Sequence, residues 1–97
     1  MRISAHLVCY DISDPHRLRR VYRTMRGFGD HWQYSVFYCE LSEVRKIELV
    51  GRLEAITHAD EDQVLLIPLG PADGRSIRGV EVVGRPQARR TRGPFIV

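Results

Sequence analysis

Residues 3–14, with the sequence ISAHLVCYDISD, constrain the fold more than any other part of the chain. Their apolar side chains recur with the two-residue period of a β-strand, which runs directly into two acids, Asp11 and Asp14. Asp14 is followed by Pro15, the pattern of a helix N-cap and first helical position. The sequence therefore predicts a strand, a turn and a helix, with the Asp11 carboxylate at the strand end, where ligands and metals often bind.

Alternation divides this first strand into two rows of side chains, one uniformly apolar and one mixed. The apolar row is Ile3, Ala5, Leu7 and Cys9, and the mixed row is Ser4, His6, Val8 and Tyr10. We expect the apolar row to be the dry face of the strand, turned to the core. The mixed row is then expected on the opposite face of the sheet.

The rest of the chain supplies two helices and further strands. They are a helix over residues 15–28, strand structure over 31–41 as one bent strand or two, a helix capped by Ser42 and reaching 57, a strand over 63–69 and a short strand over 80–83. This order predicts an α+β fold, a ferredoxin-like βαββαβ sandwich with both helices on one face of an antiparallel sheet. Residues 1–84 are expected to form the single domain, and 85–97 a basic flexible tail that stays disordered until bound.

The sheet face without helices predicts a homodimer. Because Val8 and Tyr10 are expected there and are too apolar for open water, a second copy of the chain is the simplest cover. The short strand at 80–83 is expected to add to an edge of the partner's sheet.

The net charge of +3 is unevenly distributed. Residues 1–70 carry nine basic and ten acidic residues, a net −1, whereas residues 71–97 carry six and two, a net +4. The first helix has five cations without an acid among them: Arg17, Arg19, Arg20, Arg23 and Arg26. A face that is only solvated usually alternates in sign, so this pattern favours contact with a nucleic-acid backbone. A GC-rich genome would also favour arginine over lysine, so the composition alone does not decide.

Several function classes lack their signatures in this sequence. There is no apolar run of membrane-spanning length and no secretory signal, so we expect a cytoplasmic protein that does not engage membranes. The four histidines lack metalloprotease spacing, and the two distant cysteines are expected to be reduced core thiols. The acidic triplet at 60–62 is interpreted as a solvated turn, since adjacent carboxylates in an extended loop cannot all face one ion.

Three motifs together resemble the CRISPR-associated protein two family (Cas-two, or Cas2). They are YDISD at 10–14, Gly29 followed by QYSVF at 33–37, and IPL at 67–69, and the resemblance covers about residues 3–70. Trp32 and Tyr38 stand where other members often carry small or charged residues. The tail from Arg75 onward aligns with nothing in the family pattern.

The resemblance implies a ferredoxin-like homodimer that works in spacer acquisition. Such a dimer binds double-stranded prespacer DNA and is held between two dimers of the Cas-one (Cas1) integrase. It also implies a magnesium-dependent endoribonuclease or DNase activity, with single-stranded RNA as another partner. Asp11 corresponds to the family's strand-end aspartate, which would be both the catalytic residue and the ligand of Mg²⁺ or Mn²⁺.

A weaker alternative is an RNA-recognition-type binding module without catalysis. Residues 26–29, RGFG, match the start of the RNA-recognition signature, but the next three residues, DHW, depart from it. Helical periodicity also places these glycines at a helix end, where glycine has an ordinary capping role.

Overall fold

A computed structural model describes residues 2–87 as a sheet covered by two helices. The elements are β1 (Ile3–Asp11), α1 (Pro15–Arg26), β2 (Gly29–Gln33), β3 (Val36–Ser42), α2 (Glu43–Ile56), β4 (Gln63–Pro71) and the short helix α3 (Arg75–Arg78). The four strands form one antiparallel sheet in the order β2-β3-β1-β4, so β1 and β3 are central. This is the predicted ferredoxin-like arrangement, which is confirmed.

Both helices begin at the predicted caps. The Asp14 carboxylate accepts a hydrogen bond from the Arg17 amide at 2.9 Å, and Ser42 Oγ accepts one from the Arg45 amide at 3.2 Å. Each cap satisfies one of the amides that have no acceptor within the first turn. At its other end α1 stops at Arg26, two residues earlier than predicted, because Gly27 caps it and the chain turns directly into β2.

Residues 31–41 contain two strands rather than one bent strand. Gln33 pairs with Val36, so the β2–β3 hairpin turns over only two residues, and the register is irregular just before this turn. Gly29 starts β2, and a Cβ there would collide with the Tyr38 carbonyl oxygen and with Cys39 Sγ. Glycine is therefore required at position 29, where β2 lies directly against β3.

The prediction of which β1 row faces the core was wrong. Val8 is 0% exposed and Tyr10 is 5% exposed, and both lie in the core beneath the helices. Alternation separates two rows but does not say which one the helices cover. The row that contains Val8 and Tyr10 takes the helix side, together with Phe37 of the adjacent strand. Asp11 therefore ends the row on the opposite face.

We call that opposite side the open sheet face. Its apolar members on the outer strand β4 are Leu65 and Ile67, both exposed. Trp32 and Tyr38 stack on it at the other edge, with ring centroids 5.2 Å apart and planes 9° from parallel.

Of the two free thiols, Cys9 lies half-buried on this face. Cys39 is in the core, where burial raises its pKa to about 12.

Residues 80–83 do not form a strand within the single chain. They follow α3 and pair with no strand of the described sheet. A β-strand requires a neighbouring strand with which to form hydrogen bonds. Pairing with the sheet edge of a second copy stays a prediction. Most of the predicted basic tail, residues 88–97, lies outside the described residues. Within residues 2–87, no helix is long and apolar enough to cross a membrane.

Candidate nucleic-acid interface and strand-end aspartate

Asp11 is the last residue of β1 and is exposed to solvent. It pairs with Gln63 at the start of β4, and its side chain lies on the open sheet face because Tyr10 occupies the helix side. Burial raises the pKa of the neighbouring Tyr10 phenol to about 12. Tyr10 therefore stays protonated at neutral pH, and Asp11 is the only acidic residue within β1.

One chain by itself does not present a metal site around Asp11. Among residues 2–87, no three His, Cys, Asp or Glu side chains lie close enough together to hold an ion. Magnesium is bound through one or two carboxylates together with waters and substrate oxygens, so Asp11 alone is a thin ligand set. The residues of a single chain do not fit the ion without oxygens from a substrate or a second copy.

The turn after β1 is tied to the turn before β4 by Asp62, whose side chain is 0% exposed. Asp62 Oδ1 accepts hydrogen bonds from the Ser13 amide at 3.0 Å and from Ser13 Oγ at 3.3 Å. Asp62 Oδ2 accepts from Arg17 Nε at 2.7 Å and from the His58 amide at 2.8 Å. We call these four residues the Asp62 cluster.

The Asp62 cluster corrects the interpretation of residues 60–62 as a solvated turn at one position, since Asp62 is enclosed whereas Asp60 and Glu61 are exposed. The Arg17 guanidinium, followed by the His58 and Ser13 amides, holds the pKa of the Asp62 carboxyl well below its usual range. The carboxylate therefore remains charged while enclosed. Sequence reasoning missed it because its partners, Ser13 and Arg17, lie 49 and 45 positions away in the chain.

These hydrogen bonds distinguish Arg17 from the other arginines of α1 that were predicted to contact nucleic acid. Its Nη2 also reaches Glu61 at 2.9 Å, and only 22% of its side chain is exposed. Hydrogen bonds to Asp62 and Glu61 raise the pKa of the guanidinium above its usual value. A phosphate would have to compete with both carboxylates for Arg17.

The remaining four cations of α1 form the arginine face, defined as Arg19, Arg20, Arg23 and Arg26. All four are exposed, and within residues 2–87 none makes a salt bridge to a carboxylate. Arg19 Nη2 lies 3.3 Å from His16 Nδ1, and the Arg26 guanidinium lies 5.8 Å from the Tyr22 ring centroid. Neither contact neutralises a charge, so this face can offer guanidinium groups to phosphates.

The structure does not bring Asp11 and the arginine face together within one chain. The helix α1 packs on one side of the sheet through Val21 and Met25, whereas Asp11 lies on the other side. A single nucleic-acid strand lying along the arginine face would therefore not place its backbone directly at Asp11. The two candidate sites are separate features of the protomer.

Comparison with known proteins gives one consistent family. The sequence profile described as "CRISPR associated protein Cas2" matches residues 4–76. A protein of Rhodospirillum rubrum named "CRISPR-associated endoribonuclease Cas2 1" is 42% identical over 81 residues, which is 84% of this chain and 78% of that protein. A protein of Thermodesulfovibrio yellowstonii named "CRISPR-associated endoribonuclease Cas2 2" is 52% identical over 64 residues, or 66% of this chain and 70% of that protein.

Solved structures share the fold. Streptococcus pyogenes Cas2 superposes with a TM-score of 0.73 at 29% identity, covering 82% of this chain and 99% of that chain. A hypothetical protein from Thermus thermophilus superposes with a TM-score of 0.75 at 26% identity, covering 90% of this chain and 96% of that chain. The family profile and the Streptococcus pyogenes structure thus point to the same family.

Proposed function

Because the chain belongs to the CRISPR-associated Cas2 family, we propose that it works in CRISPR adaptation. In this proposal a homodimer binds double-stranded prespacer DNA and bridges the Cas1 integrase during spacer acquisition. The observation that carries the DNA contact is the arginine face, four exposed guanidinium groups without a carboxylate partner in the described part of the chain.

The arginine face suits a backbone rather than a base sequence. The 12 residues of α1 extend for about 18 Å at the usual helical rise, and the arginines occur along most of that length. Duplex DNA carries one negative charge per roughly 1.7 Å of axis, so several phosphates fall within this span. Contacts of this kind position a duplex and release counterions, without reading its sequence.

The homodimer is supported by the open sheet face. Leu65 and Ile67 are exposed apolar side chains on this face of β4, and burying them against a second copy removes them from water. The side chain of Ile67 would lie within that contact. Ile67→Glu should give a monomer in sedimentation, whereas Val44→Glu on α2, which is also exposed and apolar, should leave a dimer.

A second candidate activity is cleavage of RNA, favoured by the names of the relatives and by the exposed Asp11. In this proposal Asp11 from two copies, with substrate oxygens, holds Mg²⁺ or Mn²⁺. A bound ion of this kind supplies an activated water and neutralises the phosphate. Asp11→Asn should abolish cleavage of single-stranded RNA while retaining the parent circular dichroism spectrum. Full cleavage by the purified variant would contradict this role and assign the activity to another site.

The DNA proposal is tested by the salt dependence of duplex binding. Replacing Arg19 and Arg23 by Ala should reduce the steepness of the decrease in log K for DNA binding with log salt by about two. Each lost phosphate contact contributes about 0.9 to this slope. The matched control replaces Arg52 and Arg75, two exposed cations that are paired with Glu48 and Asp73. Equal slopes in the two double variants would overturn the assignment of the arginine face.

A further inference from the structure

A polar cleft of about 380 Å³ lies at the end of the sheet opposite Asp11. It is bounded by the start of β1, the end of β3, the first turn of α2 and the later part of β4. The polar and charged side chains in its lining are Arg2, Ser4, His6, Ser42, Glu43 and Lys46. The cleft belongs neither to the arginine face nor to the open sheet face.

A β-bulge opens the sheet beside this cleft. Ala5 pairs with Gly70 and His6 pairs with Pro68, so Leu69 is an extra residue in β4. Pro68 has no amide hydrogen to donate, and Gly70 has a φ of 96° that favours glycine. Bulges of this kind often redirect a side chain toward a functional site.

His6 lines this cleft and has a ring nitrogen without a hydrogen-bond partner in the described structure. It is 4% exposed, and its Nδ1 has no hydrogen-bond partner among the described residues. A buried polar atom without a partner costs free energy, and most such atoms in folded proteins are satisfied by protein, water or a ligand. A ligand with hydrogen-bonding oxygens in the cleft would supply that partner.

The charges around His6 favour an anion. Arg2 and Lys46 carry two positive charges against the single negative charge of Glu43. The N-terminus of α2 adds a partial positive charge and first-turn amides that have no acceptors within the helix. Ser42 Oγ caps the Arg45 amide and can still donate its own hydrogen.

We propose that this cleft binds a phosphate group. Lys46 and Arg2 neutralise its charge, while His6 and the first turn of α2 hydrogen-bond its oxygens. The site goes beyond the proposed function, since it lies at the far end of the sheet from Asp11 and away from the arginine face. Free phosphate and the terminal phosphate of a nucleic acid share this chemistry.

The test is a titration of the full chain with inorganic phosphate, followed by NMR of the four histidine rings. At constant ionic strength, phosphate should shift the His6 ring signals, and chloride should not. Lys46 is not part of the hydrophobic core. Lys46→Ala should therefore preserve the fold and weaken the phosphate affinity about tenfold. Arg52→Ala, which removes a cation from the same helix outside the cleft, should change it less than twofold.

Two results would overturn the proposal: unshifted His6 signals with phosphate, or equal losses of affinity in Lys46→Ala and Arg52→Ala. The source of the phosphate is resolved with a short single-stranded oligonucleotide, with and without a 5′-phosphate. Displacement of inorganic phosphate by the phosphorylated form alone identifies a nucleic-acid end as the ligand. Displacement by neither form identifies free phosphate. Changes on the arginine face should leave all of these shifts intact.

Discussion

Two neighbouring parts of α1 use arginine in opposite ways. Arg17, in the first turn, is held by Asp62 at 2.7 Å and by Glu61 at 2.9 Å, and most of its side chain is covered. Arg19 and Arg23 lie within two turns of it, exposed and without a carboxylate in the described structure. The same residue type on one helix therefore stabilises a turn in one place and remains available for a partner in the other.

The comparison extends to α2, where exposed cations are paired on the helix surface. Glu48 bridges Arg45 at 2.7 Å and Arg52 at 3.0 Å, within one turn on each side. Exposed pairs of this kind contribute little to stability, and their local charge is balanced. A cation's availability for phosphate thus depends on the acids that tertiary structure or helical spacing brings to it.

The largest expected effect comes from removing the carboxylate that holds Arg17. Asp62→Ala should lower Tm by several degrees, because it leaves Arg17 Nε and the Ser13 and His58 amides without their acceptor. Asp60→Ala is the matched control, since it removes an exposed acid from the same turn and should shift Tm by about a degree or less. Equal shifts in the two variants would show that the Asp62 cluster does not stabilise the fold.

A smaller effect should separate the two kinds of arginine by function. Arg23→Ala should make the decrease of log K for duplex DNA with log salt shallower by about one unit of slope, and it should leave Tm unchanged. Arg17→Ala should do the reverse, lowering Tm and leaving the salt slope unchanged, since its guanidinium already serves Asp62. An equal loss of slope in both variants would show that Arg17 also contacts phosphate.

The smallest effect is the pH dependence of the Asp62 cluster. The pKa of Asp62 is lowered in the folded state from an ordinary value of 3.8, so the folded chain binds fewer protons there than the unfolded chain. Its stabilisation is complete above about pH 4 and is lost as the pH falls through the folded pKa. The Tm difference between the parent and Asp62→Asn should therefore narrow on acidification below about pH 4. A constant difference down to about pH 2 would contradict this linkage.

Much of the fold could be predicted from local sequence. The two capped helices follow from Asp14-Pro15 and Ser42, and the strands follow from apolar alternation or continuous apolar runs. These signals act over a few residues, through backbone hydrogen bonds and side-chain periodicity. The exposed arginines of α1 were predictable for the same reason, because helical spacing alone places them away from Val21 and Met25.

The sequence by itself therefore determined the order of elements, the strand-end position of Asp11 and the outward direction of the arginine face. Tertiary structure decided which row of β1 the helices cover, and it placed Val8 and Tyr10 in the core against expectation. It also brought Asp62 to Arg17 across 45 positions. The physical reason is that burial and pairing depend on distant neighbours, whereas local periodicity reports only which side chains point the same way.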